Sequence, residues 1–289
     1  MTDYNIANMQ DEKWDIEISV KSRFFDLRLK EVWKYRDLLV LFVRRDFVSF
    51  YKQTILGPIW FFIQPIFTTI VYVFLFGTLA SLSTDGIPAP LFYICGITTW
   101  TYFSDCLIKT STVFKDNAAI FGKVYFPRLI MPISITISGL VKFFVQLLLL
   151  LLMILFFSLK DGENFISVYV LFFPFLVLLM AAQGMGIGLI VSAVSSKYRD
   201  VAMLLTFGIQ LLMFATPIVY PLSSVSGIFK LVISLNPMTS IIELMRLGFL
   251  GKGSVDLFGV TYTIGITGII LVVGILIFNK VEKSFVDTV

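Results

Sequence analysis

The sequence predicts an all-α polytopic membrane protein: six transmembrane helices, an N-terminal amphipathic interfacial helix, and a re-entrant helix pair between the fifth and sixth spans. Three observations predict it. Hydrophobic residues make up 57% of the 289 and charged residues 15%, with a mean hydropathy of +0.90, whereas soluble domains carry about 45–50% and about 25%. The charges are unevenly spread, 19 of the 42 falling within residues 1–57. Charge-free runs then succeed one another at lengths that suit helices of about 20 residues, enough to cross roughly 30 Å of hydrocarbon. Unbroken apolar runs such as LLLLLLMILFF contradict the alternating pattern of a transmembrane β-barrel.

Residues 1–34 begin polar and acidic and are unlike a cleaved signal peptide, so they are expected to form a cytoplasmic extension. Residues 35–57 read as the interfacial helix. At 100° per residue, Tyr35, Leu38, Leu39, Phe42, Val43 and Phe50 share one arc, and Arg36, Asp37, Arg44, Arg45 and Lys52 the opposite one. Such a helix suits the cytoplasmic headgroup layer, with Arg44, Arg45, Tyr51 and Lys52 as contact candidates; packing on a partner is the alternative. Asp46 falls on the apolar arc and is the exception. Gly57-Pro58 breaks the helix, and Pro58 can open the first span.

The spans are expected at about 59–81, 91–113, 132–157, 167–193, 202–220 and 258–279, within a transmembrane unit of residues 58–282 followed by a tail, 283–289. Eighteen of the 23 Lys and Arg fall in 1–57, in the loops near 109–128 and 196–200, and in the tail from Lys280. Basic residues stay on the cytoplasmic side, which puts both termini there. Residues 221–256 are too apolar to float and too broken by Pro and Gly to cross as one helix. They suit two short re-entrant helices on the outer face, with Asn236-Pro237 as the turn between them.

Several chemistries are excluded. With no histidine, His-dependent zinc sites, Ser-His triads and His bases are absent. Cys95 and Cys106 lie about 16 Å apart if their stretch is helical, out of disulfide reach. The GKGS at 251–254 lacks the upstream glycine of a P-loop, position 246 being Arg246. No catalytic, cofactor-binding or metal-binding residues emerge, and the chain reads as no enzyme.

Polar residues within spans are the remaining candidates. Lys142 and Gln146 share a helix face and could line a path or pair with a neighbouring helix, unless Lys142 snorkels to the interface. Gln64, Asp105, Gln183 and Gln210 suit interhelical hydrogen bonds, and Gly184 with Gly188 forms a small-residue packing face. Glu243 and Arg246, three apart, suit an exposed pair or contact with a polar cargo. Trp60, Tyr93, Trp100, Tyr102 and Tyr125 fit interfacial aromatic belts, and aromatic faces also suit sugar rings.

At this point the chain resembles a family. RRDFVSFYKQTILGPIWFFIQPIF at 44–67, YICGITTWTYFSD at 93–105, KVYFPRLIMPIS at 123–134, SSKYRDV at 195–201, QLLMFATPIVYP at 210–221 and NPMTSIIELMR at 236–246 are similar, in order, to type-2 ABC exporter permeases for polysaccharides (O-antigen, capsule or teichoic acid). The resemblance spans about 35–282. It implies a homodimer in the bacterial cytoplasmic (inner) membrane, with two copies of a separate ATPase that bind the ATP and Mg. It implies a lipid-linked glycan substrate and no nucleic acid. By analogy, Asp116, Lys123, Tyr125, Phe126, Pro127 and Arg128 would couple to the ATPase. Trp60, Tyr72, Trp100, Tyr102, Lys142, Gln146, Pro217, Tyr220, Pro237, Glu243 and Arg246 would line the conduit or its outer gate, the latter formed by the short helices at about 224–250. The N-terminal extension departs from the family pattern, which leaves its role open.

The residues themselves support such a mechanism. An amphiphilic cargo needs a polar path that opens sideways to lipid, which dimerising six-helix units can create. The basic helix would meet anionic headgroups at about 1 kcal/mol per nearby Lys or Arg. Other readings are a type-2 ABC permease for a drug or lipid, an intramembrane transferase, and a passive channel.

Overall fold

The computed structural model describes residues 29–286 apart from 53–56, 125, 199 and 255. Among them every regular element is helical. A short α1 (Leu29–Lys34) leads into α2 (Arg36–Lys52). Then come α3 (Trp60–Tyr72), which widens into a π-helical stretch at Val73–Leu79, and α4 (Ala89–Ser111). Two single turns, α5 (Val113–Asp116) and α6 (Ala118–Phe121), precede α7 (Ile130–Asp161), α8 (Phe173–Ser195) and α9 (Asp200–Phe214). The chain ends with α10 (Gly227–Ser234), α11 (Pro237–Leu250) and α12 (Leu257–Val286). The extension 1–28 and the tail 287–289 lie outside the described residues.

Among the described residues, four helical segments are long and apolar enough to cross a membrane: Trp60–Leu79, Ile130–Asp161, Val168–Ser195 and Leu257–Val281. The α10–α11 pair, bent by 90°, makes a fifth if taken as one broken span. Two of the six expected spans therefore differ from their sequence reading. α9 stops at Phe214, short of the expected 220, because Pro217 cannot continue a helix and disfavours helical backbone in the residue before it. At 15 residues it is only about 22 Å long. α4 has the length, 23 residues, but less apolar character, and 16 of those residues are buried. A helix wrapped in protein has no need of lipid-compatible side chains. Its Thr98, Thr99 and Thr110 are buried inside the molecule.

α4 is the centre of the fold, packed by α7, α8, α3, α9 and α11. The approach to α8 is backbone-close, as the small-residue face suggested. A Cβ on Gly184 would stand 2.8 Å from the Phe103 carbonyl oxygen, and one on Gly188 2.6 Å from Thr110 Cβ. Gly186 serves the other side of α8. It meets α12 at Leu271 and Gly274, where a Cβ on Gly274 would lie 2.5 Å from the Gly186 carbonyl oxygen. Cys95 and Cys106 are both free and buried in α4.

The two ends of the bundle have separate compositions. At one end α2, α5, α6, the start of α7 and the last turns of α12 share an apolar cluster around Phe42, Phe114, Phe121, Phe126 and Phe278. The larger core fills the middle and the opposite end, where α11 buries Met238, Ile241, Ile242, Met245 and Phe249.

Candidate functional site

α11 starts where the sequence signals it. The Asn236 side chain accepts the Met238 N–H at 3.0 Å, and Pro237 occupies the first helical turn, where its missing N–H costs nothing. The Asn236 amide also donates to Thr216 Oγ1 at 2.8 Å, tying the helix start to the stretch after α9. The helix closes at Gly251, whose φ of +67° is the left-handed conformation glycine adopts without penalty.

Arg246 lies at the middle of α11 and is 1% exposed. Its guanidinium donates to the Ile218 carbonyl at 2.9 Å and to Glu243 Oε1 at 3.3 Å, and sits 3.7 Å over the Phe92 ring of α4. Glu243 Oε2 in turn accepts the Ser254 backbone N–H at 2.8 Å and its hydroxyl at 3.0 Å. The expectation of an exposed Glu243–Arg246 pair is corrected: both side chains are buried, because α4, the 216–220 segment and the 251–254 loop close over them. An ion pair out of water holds only with such extra hydrogen bonds. Further out, Ser223 donates to Asp85 at 2.8 Å and Lys252 to the Gly86 carbonyl at 3.0 Å. The α3–α4 loop is thereby strapped to the segments before α10 and after α11.

Of the other conduit or gate candidates, Trp60 is exposed. Tyr72 is half-buried, its hydroxyl 3.6 Å from Met213 Sδ and its ring edge-on to Phe76 and Tyr93. Trp100 and Tyr102 are corrected: α4 being central, both lie in the protomer's own core, Trp100 against Phe103 and Tyr102 donating to the Thr136 carbonyl at 3.3 Å. Pro217 is buried, and Tyr220 donates to the Phe214 carbonyl. Lys142 does not snorkel. It pairs with Asp105 of α4 at 2.9 Å, and Gln146, one turn on, is buried with its Oε1 unpartnered.

At the other end the apolar arc of α2 rests on protein. Phe42 meets Phe126 at 5.6 Å, and Tyr35, Leu38 and Leu39 pack around them. Among its described side chains, Val40, Leu41 and Phe47 are exposed and apolar. Asp46, the exception on that arc, is explained: its carboxylate takes Arg45 at 2.8 Å and the Ser138 hydroxyl of α7 at 3.4 Å. Arg44 and Lys52 are exposed; the described helix runs to Lys52, and residues 53–56 of the expected 35–57 lie outside the described residues. The Tyr51 side chain and all of Tyr125 lie outside the described residues.

Among the coupling candidates, Asp116 and Lys123 are exposed, Asp116 accepting the Thr112 hydroxyl at 2.6 Å. Phe126, Pro127 and Arg128 are corrected as direct contacts. All three are buried, Phe126 against Phe42 of α2 and the Arg128 guanidinium over the Phe121 ring at 5.2 Å. The open face of this loop is Lys115, Asp116, Ala119, Lys123 and Val124.

Comparison with known proteins decides what such a bundle is. Residues 37–250 match the model of the ABC-2 type transporter family, well over half of the chain. The chain belongs to the ABC-2 type transporters. It is thus a multi-pass membrane permease. The O-antigen export system permease protein RfbA of Myxococcus xanthus is 28% identical over 215 residues, covering 74% of this chain and 80% of the relative. RfbA of Klebsiella pneumoniae is 26% identical over 253 residues, 87% of this chain and 94% of the relative. The polysialic acid transport protein KpsM of Escherichia coli is 24% identical, covering 86% and 94%. The residues of this ABC-2 chain that sequence reasoning missed are Phe92, Ser223 and Ser254. Of these only Ser254 lies in a segment with a sequence signal, the glycine-flanked GKGS, which closes over Glu243.

Proposed function

We propose that this chain is the membrane subunit of an ATP-driven exporter that moves a lipid-linked polysaccharide across the bacterial cytoplasmic membrane. Two copies form the conduit between them. Two copies of a separate ATPase seat on the exposed 115–124 face, bind ATP and Mg, and drive opening. Both termini are cytoplasmic and the chain crosses six times, α4 and α9 supplying the spans that hydropathy leaves out. The α10–α11 pair is the outer gate.

The observation that carries this reading is the near full-length match to permeases named for O-antigen export and polysialic acid transport. The polarity of the fold supports the orientation, since α2, the 109–128 loop and the end of α12 gather at one end, as the Lys and Arg distribution requires. Deleting the gene and purifying the tagged chain in mild detergent tests it. Surface glycan is expected to disappear, and an ATPase with a Walker motif to co-purify. Unchanged glycan and no ATPase would overturn the reading.

A further inference from the structure

The 90° bend between α10 and α11 encloses a cleft of about 460 Å³ against the first turns of α12, within the roughly 300–1,000 Å³ of small-molecule sites. Its exposed lining is mostly apolar, with Leu222, Leu231, Leu235 and Phe258 among it, and carries a small set of polar side chains, the usual make-up of a ligand site. α10 turns Lys230 and Ser234 into the cleft, α11 turns Ser240 and Glu243, and α12 adds Tyr262, with Asp256 just ahead of it. α10 leaves Ile228, Phe229 and Val232 exposed. The face that α10 turns to the cleft is mixed, Leu231 and Leu235 standing beside Lys230 and Ser234, whereas its other face is apolar.

The side chains of Lys230, Ser234, Ser240 and Tyr262 have no hydrogen-bond partner among the described residues. Glu243 is held at the floor, oriented by Arg246 and Ser254. Arg246 already offsets Glu243, which leaves one ammonium and one carboxylate, Lys230 and Asp256. A lipid phosphate would want a surplus of positive charge, and the cleft offers none. It offers hydroxyls, which both donate and accept, beside fixed carboxylate acceptors. A neutral sugar ring, whose hydroxyls also do both, satisfies that set.

We propose that the concave side of the α10–α11 bend is a sugar-binding subsite, which takes one or more residues of the exported glycan as it leaves. It rests on the exporter reading above. Each protomer holds such a subsite, with α10 as its outer wall, so the gate grips the cargo as well as parting for it.

The test uses the assembled transporter in nanodiscs and, as probe, the host cell's own surface polysaccharide, freed of its lipid by mild acid. Wild type is expected to bind it. The variant combining Ser234→Ala, Ser240→Ala and Tyr262→Phe, which removes three hydroxyls and no bulk, is expected to bind about tenfold more weakly or worse. Its thermal unfolding and ATPase co-purification should match wild type, which separates lost binding from lost folding. Dihexanoyl-phosphatidylglycerol should not compete. Unaltered binding by the variant overturns the subsite, as does competition by the phospholipid. If deleting the gene removes surface glycan while the variant still binds normally, the subsite falls and the exporter reading stands. If deletion leaves the glycan unchanged and wild type binds none, both fall.

Discussion

Five phenylalanines from α2, α5, α6, α12 and the loop before α7 hold one end of the protomer together, whereas at the other end directional contacts are added to the apolar core: the Arg246 guanidinium fastens α11 to α4 and to the 216–220 segment, and Asn236 ties its start to Thr216. Apolar packing is non-directional, so elements joined by rings can tilt and slide without losing their contacts. A buried hydrogen-bonded ion pair has few alternative partners and is satisfied or broken. The soft end carries the face proposed to receive the ATPase. The stiff end carries the proposed gate, with α11 as a fixed post and α10, none of whose residues is buried, as its movable limb.

The comparison is tested most severely by Arg246→Ala. It strands the Glu243 carboxylate in the core and should cost about 3–5 kcal/mol, read by thermal unfolding of the purified complex. Replacing both partners, Arg246→Met with Glu243→Leu, should recover much of that loss; a double variant as unstable as the single one would refute the ion-pair account. Phe114→Ala removes a ring stacked 4.6 Å from Phe278 and should cost about 3 kcal/mol. Its local signature is faster tryptic cutting near Lys52, because α2 loses its bed. Ser223→Ala cuts the outer strap to Asp85 in a solvated setting and should cost no more than about 1 kcal/mol; a larger loss would mean that the strap bears on the core. Lys123→Glu should leave stability within about 0.5 kcal/mol yet reduce the ATPase recovered by affinity purification several-fold. Equal recovery would move the proposed seat elsewhere.

Much of this was legible in the chain itself. Charge-free runs located α3, α7, α8 and α12 because lipid imposes hydropathy on whatever faces it. Asn236-Pro237 announced the start of α11, since capping is local chemistry. Gly184 and Gly188 announced a close approach, though not to which helix. What could not be read are the properties set by distant partners. Trp100 and Tyr102 are indistinguishable by sequence from interfacial aromatics, and only the central place of α4 buries them. Asp46 looked misplaced until Ser138, 92 residues on, supplied its partner. Arg246 counted as one more basic residue outside, because nothing nearby in sequence reveals that Phe92 and Ile218 enclose it.

The glycine contacts on both sides of α8 have a mechanical consequence. Packed helices normally shear by small adjustments in the layer of side chains between them. Between α4 and α8, and again between α8 and α12, that layer is missing at Gly184, Gly188, Gly186 and Gly274, and main chain bears directly on main chain. Three helices joined in this way have no slack to absorb a push. A displacement applied at the phenylalanine end reaches the arginine end as one movement of a single rod, instead of being spent along the way.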